Sequence, residues 1–209
     1  MLTNRDLEKL ASRMDIPLAF VGFKDDLPRI QPNKYYIINL DDAEMESGKA
    51  NTGSHWTGFQ VNKTGNGRTE AMYFDSFGQP PPQDVKRAVD KAFPGVKLNY
   101  PKKDIQALMN QACGWYQLAF AHFINNKNMS SGNLGHDTLN FLDFFEDLDK
   151  SNDFKKNEFV LKHFFLAKDP ELRKQQAAGI NALPDPETID TEASFSGNGM
   201  KLPVNLNYK

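Results

Sequence analysis

The chain has 209 residues, 39% of them hydrophobic and 25% charged, with 16 phenylalanines, so one well-formed core and a single compact body are the expectation. A formal net charge of −2 argues against nucleic-acid binding as the main activity, leaving room only for a local basic patch, and no run of about 18 apolar residues is available to span a membrane. One cysteine excludes an internal disulfide, and with four scattered histidines it leaves no structural zinc set, so neither a metal nor another cofactor is expected.

The N-terminus, Met1-Leu2-Thr3-Asn4-Arg5-Asp6, lacks the basic-then-apolar pattern of a secretory signal, and the chain reads as not secreted. Thr3 to Met14 reads as a helix: Thr3 caps it, Asp6 completes a capping box, and Leu7, Leu10 and Met14 share a face before Pro17 ends it. Residues 22–33 carry Gly22, Pro28 and Pro32 among charges and read as a loop. Lys34–Leu40 (KYYIINL) has the β-branched and aromatic content of a buried strand, and 41–54 is a polar, flexible approach to the next one. His55–Val61 and Thr69–Phe74 are two strands joined by a glycine- and asparagine-rich turn at 62–67, a hairpin. A helix begins in Pro80-Pro81-Pro82 and runs to Phe93 with Val85, Val89 and Phe93 on one face; Gly95–Tyr100 is a further strand and Pro101–Gln111 a loop. From Cys113 to Ile124 apolar residues surround most of the helix circumference, the mark of a central buried helix. Asp137–Leu148 and Asp153–Leu166 are amphipathic helices, and from about Lys168 the prolines and glycines read as an extended arm.

Chemistry concentrates at three places. Cys113 opens the buried helix, where unpaired backbone N–H groups and the helix dipole favour a thiolate, although a lone free cysteine also commonly just packs. His55 begins one strand of the hairpin and Asp75 comes after the other, so antiparallel pairing makes them neighbours, and an aspartate beside a histidine orients the ring and stabilises the imidazolium. His122 is nine residues past Cys113, roughly 13 Å along the helix and on its opposite side, which makes it a packing residue. His136 and His163 lie in later helical stretches, leaving His55 as the base that fits the thiol.

The order His55-Trp56, then Tyr73-Phe74-Asp75-Ser76-Phe77-Gly78, then Gln106 seven residues before Cys113-Gly114, resembles the adenovirus maturation protease (adenain) and its relatives, the proteases of ubiquitin-like proteins. The opening helix, a Phe20-Val21-Gly22-Phe23 turn and a strand before the His-Trp pair extend the likeness over residues 1–125. The resemblance implies an α+β, papain-like or adenain-like fold: a central, mostly antiparallel sheet packed against a buried helix that starts at the catalytic cysteine. It implies a protease domain at 1–167 and then an arm at 168–209. His55 is then the base, Asp75 its orienter, Cys113 the nucleophile and Gln106 the oxyanion donor, with Gln111 a rival too close to reach back over the thiol; Trp56 and Gly114 would bind substrate. Three departures stand out. There is no second cysteine for a disulfide-tethered peptide cofactor, the slight net acidity speaks against activation by DNA, and Asp75 replaces the glutamate of the viral enzyme, as in the ubiquitin-like branch. The implied activity is maturation of viral capsid or core precursors, in the virion and the infected-cell cytoplasm or nucleus. Deconjugation of a ubiquitin-like modifier, or an inactive protease-derived binding module, are the alternatives. Phe195-Ser196-Gly197-Asn198-Gly199 resembles an apolar-x-Gly-x-Gly cleavage site, which makes the arm a candidate for self-processing after Asn198 or for docking on the body, beside the plainer expectation of a flexible tail.

Overall fold

The computed structural model describes residues 2–179 apart from 46, 50, 52, 65, 66, 108, 109 and 149–153. Its frame is a five-stranded sheet in the order β1 (Leu18–Phe23), β2 (Tyr35–Asn39), β3 (Trp56–Lys63), β4 (Thr69–Phe74), β5 (Leu98–Asn99). The class is α+β as expected, but the sheet is mixed rather than mostly antiparallel. The inner strands β2, β3 and β4 are antiparallel, while the edge strands β1 and β5 pair in parallel with β2 and β4.

Two cores flank this sheet because its central strands are buried on both faces. Tyr35 and Ile37 of β2 point into the larger core, with Trp56, Met72, Phe74 and most of the helices; Tyr36 and Ile38 point into the smaller one, with Phe59, Tyr73 and helix α2 (Gln83–Ala92). Helix α1 (Asn4–Arg13) starts with the expected capping box: Thr3 Oγ1 accepts from the Asp6 N–H and Asp6 Oδ2 accepts from the Thr3 N–H. Helix α3 (Cys113–Asn125) lies at the centre of the larger core with only a few of its residues not fully buried.

Three expectations need correction. The Phe-Val-Gly-Phe segment is not a turn but the body of β1; the Phe20 ring fills the space that a Gly22 side chain would need, so this glycine serves a close approach inside a strand. Helix α4 spans Leu134–Leu142 instead of 137–148, because the Asn133 side chain accepts from the His136 N–H and starts it earlier. Asp137 stands in the first turn of this helix, buried, and accepts from Ser130 and Ser131. The body also does not stop at 167. Helix α5 (Phe154–Lys168) runs into α6 (Pro170–Ala177), where Asp169 caps the new helix and pairs with Arg13 of α1 at 2.5 Å, and Leu172 is buried in the larger core. The remainder of the expected arm, 180–209, lies outside the described residues, as do Asp153 and part of the 62–67 turn.

What fixes α3 on the sheet is a buried polar contact. The Tyr35 hydroxyl donates to Gln117 Oε1 at 2.8 Å, and Gln117 Nε2 donates to the Trp56 carbonyl at 3.2 Å. Gly58 makes this possible, since a Cβ there would lie 2.4 Å from the Tyr35 hydroxyl and 2.7 Å from Gln117 Oε1. Gln117 is one helical turn beyond Cys113, so this clamp sets where the cysteine meets β3.

Candidate active site

His55 precedes β3, Asp75 directly succeeds β4, and Cys113 begins α3; the structure brings all three together. His55 Nε2 lies 2.9 Å from Asp75 Oδ1, and Cys113 is near enough to the same ring to raise its pKa; with Nε2 on Asp75, Nδ1 is the nitrogen left to face the thiol. Strand register explains the placement. Gly58 pairs with Phe74, and continuing that ladder sets His55 opposite Phe77, whose ring stacks on the imidazole at 4.5 Å and 26°. Asp75 is then the diagonal neighbour, and its Oδ1 is further held by the Phe77 N–H at 2.8 Å.

The electrostatics arise from this geometry. Burial by itself pulls the His55 pKa down, and it is the largest single influence; hydrogen bonds to Asp75 and Cys113, reinforced by the charges of both, outweigh it and raise the pKa from 6.5 to about 9. The ring therefore carries its proton at neutral pH, paired with acidic groups on both sides. At the helix tip, Ala112 has no side-chain oxygen with which to cap the first N–H groups of α3, so those donors stay aimed at whatever sits beside the thiol.

Gln106 sits on the loop that lies against the turn after β4. The Ile105 N–H donates to the Ser76 carbonyl at 2.8 Å, and the Ser76 hydroxyl donates to Gln106 Oε1 at 2.6 Å. Gly78, at φ 67°, allows this contact because a Cβ there would press within 2.4 Å of the Lys102 carbonyl oxygen. With its oxygen held by Ser76, Gln106 keeps Nε2 as a donor; one of its two N–H groups goes to the Asn110 carbonyl at 2.6 Å, and the residue is 1% exposed. Gln111, the rival, is exposed.

The two expected substrate contacts fall elsewhere. Trp56 is 2% exposed with its indole N–H donating to the Leu2 carbonyl, and Gly114 is buried against Leu2 and Leu7, so both are packing residues that seat α1 on α3 and β3. His122 also packs, as expected: its ring contacts Met14 and Asn126, and burial, then Lys168, lowers its pKa. Sequence reasoning passed over Phe77, which stacks on the base, and Ser76, which orients Gln106; both stand in the Asp-Ser-Phe-Gly run from which only the aspartate was given a task. The thiol itself is 1% exposed, so a substrate reaches it only by displacing neighbouring atoms. Among the described residues no group of three or more His, Cys, Asp or Glu side chains is arranged to hold a metal ion, and no helix is long and apolar enough to cross a membrane. No protein-family model matches the chain, and no curated protein matches it.

Proposed function

We propose that this chain is a cysteine endopeptidase of the adenain type, with the papain-like fold that resemblance implies, acting on viral capsid or core precursors in the virion and infected cell. The observation that carries the reading is the His55 ring held between the Asp75 carboxylate and the Cys113 thiol at the tip of a buried helix. In the reaction the Cys113 thiolate attacks the peptide carbonyl while Gln106 Nε2 and the Cys113 backbone N–H stabilise the oxyanion. His55 gives its Nδ1 proton to the leaving amine, Asp75 holds the ring at Nε2, and water then resolves the thioester with His55 as base. The partner is a protein substrate; neither a membrane nor a disulfide-tethered peptide is part of the proposal.

Deconjugation of a ubiquitin-like modifier is the second reading, favoured by one observation: the orienting carboxylate is the shorter Asp75 rather than glutamate. An inactive binding module is the least favoured, because such a module has no use for a protonated histidine on a thiol. The test uses the full chain with two substrates: a quenched-fluorescence peptide of residues 192–201 and a modifier protein ending in Gly-Gly. Cleavage of the peptide supports the first reading and cleavage of the modifier alone supports the second. Cys113→Ala is expected to abolish either while leaving the fold intact by circular dichroism. No cleavage of either, with Cys113 alkylated by iodoacetamide at pH 6 no faster than a free thiol, overturns both.

A further inference from the structure

Helix α5 grips the loop before the nucleophile from both of its ends. Asn157, 1% exposed, donates from Nδ2 to the Ile105 carbonyl at 3.0 Å and is itself fixed by Glu146, whose N–H it accepts at 2.7 Å and whose carbonyl it reaches at 2.9 Å. The next residue, Glu158, is 6% exposed, and its Oε1 accepts from Asn110 Nδ2 in a short contact. Between these two points the Gln106 amide closes the loop onto the Asn110 carbonyl. The route from Glu158 to the Gln106 amide is therefore two hydrogen bonds and one residue of backbone.

A buried carboxylate is an expensive way to hold a loop when an apolar side chain could pack there. What the carboxylate adds is direction. It only accepts, so Asn110 must present Nδ2 to it, and the Asn110 peptide is turned so that its carbonyl meets Gln106. Ser76 imposes the matching constraint from the other side by donating to Gln106 Oε1. Resting on the protease reading above, we infer that Glu158 is a positioning residue for the oxyanion donor: acting through Asn110, it sets the Gln106 amide for the transition state.

The cost is visible in the titration of Glu158. Burial raises its pKa from 4.5 to about 6, with Lys155 on its own helix partly offsetting the effect. Tyr116 of α3 also faces it, and that hydroxyl is raised well above its usual range by burial and then by the Glu158 and Asp104 charges, so it stays neutral. Protonating Glu158 leaves a neutral carboxyl that accepts from Asn110 Nδ2 more weakly than the carboxylate and carries an O–H donor of its own, which loosens the grip as pH falls through about 6.

The test compares wild type, Glu158→Ala, Glu158→Gln, Asn110→Ala and the double Ala variant on the peptide of residues 192–201, with Cys113 alkylation by iodoacetamide measured alongside. Glu158→Ala is expected to lower kcat about tenfold with KM within about twofold and the alkylation rate unchanged, since His55 and Asp75 are untouched. Glu158→Gln keeps only a neutral acceptor oxygen, as protonated Glu158 does, and is expected to recover part of kcat while losing the decline of kcat near pH 6 that wild type shows. The double variant is expected to be no worse than either single one. Wild-type kcat in Glu158→Ala, or parallel loss of kcat and alkylation, overturns the inference while leaving the protease reading in place. If Glu158→Ala fails to fold, the pH profile of Glu158→Gln decides, and a profile identical to wild type overturns it. A wild-type chain that neither cleaves nor alkylates rapidly overturns the protease reading and this inference together.

Discussion

Replacing Asp75 by Asn, in a chain whose thiol has been removed as Cys113→Ala, isolates the pair on which the site turns. Removing the thiol also removes the Cys113 influence on the ring, which leaves Asp75 as the charged partner being read. In the intact protein the His55 pKa is raised from 6.5 to about 9, a several-hundred-fold gain in proton affinity worth about 3 kcal/mol. That figure is a net value: the Cys113 hydrogen bond and charge supply part of the upward shift, and burial offsets part of it. The ring is only 13% exposed and the Asp75 carboxylate 1%, so solvent screens the remaining pair weakly, and about 1–2 kcal/mol is the share expected for Asp75. A base with a raised folded-state pKa contributes stability that is fully present below 6.5 and lost as pH rises through the folded value. Chemical denaturation of Cys113→Ala and of Cys113→Ala/Asp75→Asn should therefore show a stability gap at pH 6 that closes by pH 10. Histidine NMR should track it: His55 titrates above 6.5 with Asp75 present and below 6.5 without it, where burial acts alone. A gap that does not change with pH, or a wild-type His55 that titrates at or below 6.5, refutes the reasoning.

Other substitutions probe the supports. Gln106→Ala should reduce kcat about 10²–10³-fold, the range for one lost oxyanion donor, and Gln111→Ala should cost less; the reverse order means the wrong glutamine has been assigned. Gly58→Ala forces a methyl against the Tyr35–Gln117 contact and should destabilise by about 1–3 kcal/mol in thermal or denaturant unfolding, and wild-type stability there would show that the clamp yields freely. Leu172→Ala should cost about 2–3 kcal/mol, since the side chain is 3% exposed; an unchanged midpoint would mean that α6 does not stabilise the body.

Much of this was legible because the signals were local. The Thr3/Asp6 box, the hairpin spacing that makes His55 and Asp75 neighbours, and the all-round apolar run from Cys113 each sit within one or two elements of sequence. The losses are non-local. β1 is an edge strand made by parallel pairing with β2, and its Gly22 reads as punctuation until the Phe20 ring is seen above it. Helix α6 depends on Asp169 finding Arg13, which is distant in sequence, so composition alone turned it into an arm. Phe77 is set against His55 by register, and Glu158 meets Asn110 across 48 residues, so neither carries a pattern of its own.

The bracing of the Gln106 loop by α5 also bears on when the site comes into being as the chain is synthesised. By the time α3 is complete, the hairpin and its histidine, the orienting aspartate and the cysteine have all been made. Asn157 and Glu158, which hold the Gln106 loop, come two helices later, and Leu172 of α6 joins the core later still. Because a domain folds as a unit, the site is complete only once α5 and α6 have been made and can close on the core.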